Sequence, residues 1–195
     1  AGNAVFMAHA ARHALECRGA LEKASAAIKR ATDMAIAAMA LVALCPIFLA
    51  VALAIRLEDR GPVFFRQTRI GERGRNFNMI KFRSMYTDAE ARRAALLAHS
   101  ERDGTCFKMK NDPRITKVGR FIRRTSIDEL PQLINVLTGE MSLVGPRPAL
   151  PSEVATYVGQ SWRRLGGKPG ITCIWQVSGR AEIPFKRQVA MDCAY

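Results

Sequence analysis

The longest hydrophobic segment spans residues 34–55, which are 22 residues without a charged side chain. A single helix of that length would extend about 33 Å, slightly more than the hydrocarbon core of a bilayer. Pro46 lies near the middle of the segment, where proline removes a helix hydrogen bond and clashes with the preceding turn. The pattern therefore predicts two membrane-embedded arms, residues 34–45 and 47–55, that meet at a break formed by Cys45 and Pro46.

Basic residues flank this segment on both sides. Residues 1–33 contain five Lys and Arg side chains, and residues 56–75 contain six. Positively charged flanks are typical of the cytoplasmic side of a membrane, and a simple span would place one of these flanks on the other side. The charges therefore favour a re-entrant hairpin that enters and leaves through the same face, with a kinked span as the alternative.

The rest of the chain alternates helix-like and strand-like patterns. An Ala-rich stretch at residues 4–31 predicts a surface helix, and a short helix is expected at residues 130–137. Residues 63–70 and 77–83 are β-prone runs separated by a Gly-containing turn, which predicts an antiparallel hairpin. The expected fold class is α+β and mainly helical. We expect an N-terminal helix (residues 1–33), the re-entrant segment (34–55) and a cytoplasmic domain (56–195).

Composition narrows the possible functions. Thirty Lys and Arg against 17 Asp and Glu give a net charge of +13, which suits an anionic partner such as a phosphorylated substrate, a lipid surface or a nucleic acid. Aromatic residues make up only 7% of the chain, which argues against base stacking along a nucleic acid. The five cysteines form no C-x-x-C pair, so neither a zinc ribbon nor a disulfide framework is expected.

The adjacent acids Asp128 and Glu129 admit two interpretations. Asp128 is well placed to cap the predicted helix that follows, a structural role that needs no chemistry. Alternatively, the two carboxylates hold a divalent cation while basic side chains neutralise an anionic substrate, as phosphate chemistry requires. The candidate basic side chains are Lys81, Arg114, Arg123 and Arg147.

A series of short motifs, in order from about residue 29 to 180, resembles the bacterial sugar transferases, the monotopic polyprenyl-phosphate phosphoglycosyl transferases. The combination is specific although no single motif is. The motifs are Lys29-Arg30-x-x-Asp33, Gly61-Pro62-Val63-Phe64-Phe65-Arg66-Gln67, Lys81-Phe82-Arg83-Ser84-Met85, Ser126-Ile127-Asp128-Glu129-Leu130-Pro131-Gln132, Gly145-Pro146-Arg147-Pro148 and Lys168-Pro169-Gly170-Ile171-Thr172.

The resemblance implies an enzyme of the bacterial inner membrane that faces the cytoplasm. Such an enzyme transfers a sugar phosphate from a UDP-sugar to polyprenyl (undecaprenyl) phosphate and releases UMP. The acid matching Asp128 is expected to form a covalent phosphosugar intermediate, and Glu129, with Asp128, is expected to hold Mg²⁺. Residues matching Lys81, Arg114 and Arg123 are expected to contact phosphates, and Pro146, Arg147 and Pro148 to lie near the uridine diphosphate.

Two departures from the family pattern affect these expectations. Cys45-Pro46 stands where many relatives have Ser-Pro, and the chain stops at Tyr195 where relatives continue, so a C-terminally truncated catalytic domain is expected. Two alternatives of other classes are a membrane-tethered nucleic-acid-binding protein and a non-catalytic scaffold. The enzyme interpretation expects no nucleic-acid partner.

Overall fold

The computed structural model describes residues 2–96, 112–179 and 183–194. Helix α1 (Gly2–Ala43) runs without interruption through the predicted surface helix and the first hydrophobic arm, so these two predicted pieces are one helix. Helix α2 (Cys45–Glu58) follows after Leu44 at an angle of 60° to α1. The break precedes Pro46 because proline fits the first turn of a helix, where its missing N–H is not needed.

The described ranges contain no single helix that is both long and apolar enough to cross a membrane. The bent pair formed by α1 from Gly19 onward and α2 does meet the requirement for length and composition when taken together. Both helices present large apolar side chains to the outside, including Met39 and Val42 on α1 and Leu49 and Leu53 on α2. An outward apolar surface of this kind is typical of helices that contact lipid.

Strands β1 (Phe64–Ile70) and β2 (Asn76–Phe82) form the predicted antiparallel hairpin. Phe64 pairs with Phe82 at the open end, and Ile70 pairs with Asn76 beside the turn. The turn contains Arg73 and Gly74 at φ 56° and φ 75°, a left-handed conformation that glycine adopts without strain. The prediction of a mainly helical α+β fold with a short β-hairpin is confirmed.

Shorter elements complete the fold. Helix α3 (Ala89–Leu96) follows the hairpin, and after the undescribed residues come α4 (Lys117–Arg124), a 3₁₀ turn (Ile127–Glu129) and α5 (Gln132–Thr138). The remaining elements are β3 (Ser142–Val144), α6 (Pro151–Val154), a 3₁₀ helix (Gly159–Gly166), β4 (Gly170–Thr172), α7 (Ile174–Ser178) and α8 (Phe185–Cys193). Strands β3 and β4 pair in parallel, which the sequence did not predict.

Each leg of the bent pair packs against its own part of the domain. On α1, Ala37 is fully buried against Leu133 and Val136 of α5. On α2, Val51 and Ile55 pack with Ile122 of α4 and with Phe82 at the end of β2. A third cluster, formed by Ile70, Ala149, Tyr157 and Leu165, lies farther along the chain.

Candidate active site

Asp128 and Glu129 lie in the 3₁₀ turn between α4 and α5, which we call the acid turn (Ile127–Glu129). Ser126 enters this turn in a left-handed conformation at φ 58°, which reverses the chain after α4. Helix α5 starts only at Gln132, directly after Pro131. The interpretation of Asp128 as the cap of this helix is therefore wrong, because the acid turn intervenes and the N-cap residue of α5 is Pro131.

Lys81 on β2 connects the acid turn to the β1–β2 hairpin through an ion pair. Its Nζ lies 2.8 Å from Oε1 of Glu129, and both side chains are partly buried. Burial raises the pKa of Asp128, and the negative charge of Glu129 adds to this, whereas the positive charges of Lys81 and Arg123 oppose it. The site thus holds a desolvated carboxylate beside two cations, an arrangement typical of catalytic groups.

Asn135 connects α5, the helix that follows the acid turn, to β2. This side chain is 1% exposed, and its Nδ2 donates to the carbonyl of Asn78 at 2.9 Å, while its Oδ1 accepts from the N–H of Ile80 at 3.0 Å. Ile80 is adjacent to Lys81, so α5 and the strand that carries the lysine are connected through one buried amide. A buried amide that makes several hydrogen bonds restricts the relative movement of the elements it joins.

A cleft opens beside the acid turn, and its lining includes Glu129 and three cations. The cations are Arg69, Lys81 and Arg147. Arg69 is a residue that the sequence analysis did not identify, although Gln67 stood within a motif. Its Nη1 donates to the carbonyl of Pro148 at 3.1 Å and its Nη2 to Oε1 of Gln67 at 2.7 Å. Concentrated positive charge beside a carboxylate suits the binding of a diphosphate.

The predicted Pro146–Arg147–Pro148 stretch lies at the edge of the parallel β3–β4 pair. The N–H of Gly145 donates to Thr172 at 3.1 Å, and the N–H of Gly170 donates to Pro146 at 2.9 Å. A side chain at Gly145 or Gly170 would collide with the opposite backbone, so both positions require glycine for this close approach. Two separate motifs are thereby brought side by side.

Arg147 is held over an aromatic ring. Its guanidinium carbon lies 5.5 Å from the ring centre of Trp175, within the range of a cation–π interaction. The indole Nε1 of Trp175 donates to Oδ2 of Asp192 at 3.2 Å, and Asp192 in turn pairs with Arg164 at 2.9 Å. Trp175, Arg164 and Asp192 were not predicted, because nothing in their sequence spacing indicates that they meet.

Arg114 and Arg123 occupy different environments from the cleft cations. Arg114 is buried, and its Nη2 lies 2.6 Å from Oδ2 of Asp112, which holds the pKa of that carboxyl below its usual range. Arg114 is not among the residues that line the cleft. Arg123 is exposed on the last turn of α4, from which its charge acts on Asp128.

Glu129 of the acid turn lines the cleft, and Asp128, the residue before it, is not among the lining residues. Within residues 2–96, 112–179 and 183–194, no three His, Cys, Asp or Glu side chains form a metal-binding group. Mg²⁺ usually takes only one or two carboxylates and completes its shell with water and substrate phosphates. A single cleft carboxylate, Glu129, beside cations that would bind substrate phosphates is compatible with this type of coordination.

The chain belongs to the bacterial sugar transferase family, whose sequence model matches residues 24–195. It is 52% identical over 139 residues to the galactosyl transferase CpsE of Streptococcus agalactiae serotype III, covering 71% of this chain and 31% of that protein. It is 41% identical over 181 residues to the undecaprenyl-phosphate galactose phosphotransferase of Salmonella typhimurium, covering 89% and 37% respectively.

A further relative, the exopolysaccharide production protein ExoY of Sinorhizobium fredii, is 39% identical over 181 residues, which cover 91% of this chain and 80% of that protein. The chain thus spans about a third of the length of the first two relatives and most of the length of the third. The family membership inferred from the motifs is confirmed.

Proposed function

We propose that this protein is a phosphoglycosyl transferase, which moves a sugar 1-phosphate from a UDP-sugar to a polyprenyl phosphate and releases UMP. The observation that carries the proposal is the cleft lined by Glu129 of the acid turn and by the cations Arg69, Lys81 and Arg147. The cations suit a diphosphate, and a neighbouring carboxylate supplies a nucleophile. The name of the Salmonella relative, an undecaprenyl-phosphate galactose phosphotransferase, supports the transfer of a sugar phosphate to undecaprenyl phosphate.

The proposed transfer consists of two displacements at one phosphorus atom. First, a carboxylate oxygen of Asp128 attacks the phosphorus that carries the sugar, and the bond from that phosphorus to UMP breaks. Second, a phosphate oxygen of the polyprenyl phosphate attacks the same phosphorus and frees the Asp128 carboxylate. Lys81 and Arg123 support this role because their charges oppose the effect of burial on the pKa of Asp128 and favour its ionised form.

The remaining residues bind and orient the substrates. Arg69, Lys81 and Arg147 neutralise the diphosphate in the cleft, and the Pro146–Arg147–Pro148 stretch contacts the uridine diphosphate. Asp128 and Glu129 would hold Mg²⁺, which supplies neutralisation of phosphate charge as a Lewis acid. Direct phosphate contact by Arg114 stays a prediction. In the structure this side chain is buried in an ion pair with Asp112.

The bent helix pair serves in this proposal as a re-entrant hairpin in the bacterial inner membrane. Residues 56–195 then form a catalytic domain on the cytoplasmic face. The apolar side chains that point outward from α1 and α2 and the basic flanks support this placement. A water-soluble donor and a lipid acceptor meet most directly at the headgroup level.

The test is UMP release by protein held in nanodiscs with Mg²⁺, polyprenyl phosphate and a panel of UDP-sugars, with Asp128→Asn as the matched variant. We expect release with at least one donor and its loss in Asp128→Asn. Acid-quenched protein incubated with the active donor should carry a mass increase equal to one phosphosugar. Full turnover by Asp128→Asn would contradict the assignment of Asp128 as the nucleophile.

A further inference from the structure

The C-terminal end of α5 is capped by a side chain of α1, the first helix of the bent pair. Arg30 on α1 donates from Nη1 to the carbonyl of Val136 at 2.6 Å and from Nη2 to the carbonyl of Leu137 at 3.1 Å. Both carbonyls belong to the last turn of α5, and the carbonyl of Val136 also accepts from the N–H of Gly139 at 3.1 Å. The positive guanidinium also complements the negative end of the helix dipole.

The N-terminal end of α4 is capped by a side chain of α2, and this side chain carries a negative charge. Glu58, the last residue of α2, accepts from the N–H of Lys117 through Oε1 at 2.7 Å and from the N–H of Val118 through Oε2 at 2.9 Å. These are the first two amides of α4. A carboxylate that receives two such amides is the favourable charge for this end of a helix.

The acid turn lies midway between these two caps. Residues 117–138 run through α4, the acid turn and α5. Glu58 contacts the N-terminal end of this segment, and Arg30 contacts its C-terminal end. Each cap stands beside an apolar contact on the same pair of helices, Ala37 with α5 in one case and Ile55 with α4 in the other. Neither Arg30 nor Glu58 lines the cleft.

We propose that Arg30 and Glu58 are positioning residues that couple the placement of Asp128 and Glu129 to the folding of the membrane hairpin. Helices α1 and α2 each contact one end of the segment 117–138. The bent helix pair therefore restrains the acid turn, in addition to anchoring the protein, and we call this arrangement the clamp. The kinetic part of this proposal rests on the proposed transferase function, whereas the structural part does not.

The experiment compares five proteins in nanodiscs: the unchanged chain, Arg30→Gln, Arg30→Lys, Glu58→Gln and Arg56→Gln. Arg56 is the matched control, because it is another basic residue on the hairpin and donates to the carbonyls of Arg60 and Gly61 beyond α2's own end. Hydrogen exchange is measured for peptides covering residues 125–131 and, as an internal reference, the β-hairpin at residues 64–82. Steady-state kcat and KM are measured with one UDP-sugar.

We expect Arg30→Gln and Glu58→Gln to speed exchange at residues 125–131 by about tenfold while residues 64–82 keep their protection. In the same variants kcat should fall by about fivefold or more with the donor KM within about twofold, since binding groups remain in place. Arg30→Lys should recover part of both effects, and Arg56→Gln should match the unchanged protein.

Unchanged exchange at residues 125–131 in both variants would overturn the clamp. Equal loss of protection in the β-hairpin would also overturn it, because the two residues would then serve general stability. If the unchanged protein releases no UMP with any donor, the transferase proposal fails, and the exchange measurements still decide the clamp.

Discussion

Asp128 is a largely buried carboxyl that must ionise in the proposed mechanism, and its ionisation has a measurable cost in stability. Its pKa is raised mainly by burial, so the folded protein holds the proton on this carboxyl more tightly than the unfolded chain does. Ionisation of Asp128 therefore lowers stability as pH rises through the two pKa values. An active-site group that destabilises the fold is common where function needs a strained or desolvated charge.

We predict that Asp128→Asn abolishes sugar-phosphate transfer and leaves Tm at pH about 7.5 equal to or above that of the unchanged protein. The amide cannot ionise, so the variant escapes the cost of a buried charge. Differential scanning fluorimetry across pH is the measurement, and any gain should shrink toward pH about 3, where the native carboxyl is protonated. A marked fall in Tm at neutral pH would instead indicate a structural role for Asp128.

Asp112→Asn supplies the contrasting case for the same measurement. The hydrogen bonds from Arg114 lower the pKa of Asp112, so its ionised form stabilises the folded state above the unfolded pKa, and that stabilisation is lost as pH falls through the lowered pKa. This variant should therefore lower Tm at neutral pH and match the unchanged protein in strong acid. Opposite signs for the two Asp→Asn variants would separate the site carboxyl from the structural one.

Lys81 is predicted to set the pH range in which Asp128 is ionised. Its charge lowers the pKa of Asp128, and its ion pair restrains Glu129, whose charge has the opposite effect. Lys81→Met should therefore move the acidic limb of the kcat/KM–pH profile to higher pH, in addition to weakening donor binding. An acidic limb at the same pH in both proteins would show that Asp128 does not determine it.

At the level of elements, the position of the helix break follows from local rules and can be tested directly. Pro46 has no N–H to donate to the preceding turn of α1, and α2 starts one residue before it. Pro46→Ala restores the donor and should favour one continuous helix through residues 34–55. A cysteine is introduced at residue 3 in a protein whose five native cysteines are replaced by alanine, and it is labelled with a membrane-impermeant maleimide. We expect a fraction of the molecules to be labelled from the side opposite the cytoplasm when Pro46→Ala is added, and none when Pro46 is kept.

Unchanged one-sided labelling in the alanine variant would show that contacts with the domain, rather than proline, maintain the bend. Those contacts are substantial, because Arg30 and Asp33 bond to the far part of the chain through Val136 and Ser142. The comparison thus weighs local backbone geometry against tertiary docking as the cause of the hairpin.

The loop that carries Arg147 depends on an element that follows it in sequence. Trp175 on α7 places its ring under the guanidinium, and Asp192 on α8 receives the indole N–H. Trp175→Leu should raise the donor KM by about threefold with kcat little changed, because a cation–π contact is worth about 0.5–1 kcal/mol. Trp175→Phe is the matched control, which keeps a ring and should keep most of the donor affinity. Equal donor KM in all three proteins would show that the ring does not position Arg147.

The elements that the sequence predicted well are those with local signals. The charge-free run with its proline and the two β-prone runs around glycine each specify their structure within one contiguous stretch of chain, and the bend and the β1–β2 hairpin follow. The start of α5 was misplaced because the Ser126 reversal and the acid turn precede it. The sequence did not indicate Arg69 and Asp192 as site residues. Their partners, Pro148 and Trp175, come close to them only in the tertiary fold.

At the scale of the whole molecule, packing crosses the boundaries expected from the sequence. The proposed division into residues 1–33, 34–55 and 56–195 separates segments that share buried clusters, since Ala37 packs with α5 and Val51 with α4. The charged side chains of the hairpin reach the same two helices. In the proposed membrane placement, this packing would hold the cleft at a fixed height above the lipid.

A net charge of +13 is compatible with two modes of membrane association, namely electrostatic binding at the surface and insertion of the apolar helices. Their dependence on salt distinguishes them. A basic protein held by anionic headgroups or by nucleic acid dissociates as salt screens those charges, whereas burial of apolar helices does not depend on them. We predict that about 1 M NaCl leaves the protein in the membrane pellet after nuclease treatment, and that detergent is required to extract it. Replacing Leu49 and Leu53, which are 67% and 60% exposed on α2, with Lys should release the protein into the wash. Release of the unchanged protein by salt alone would contradict the embedded hairpin and favour a surface-bound basic protein.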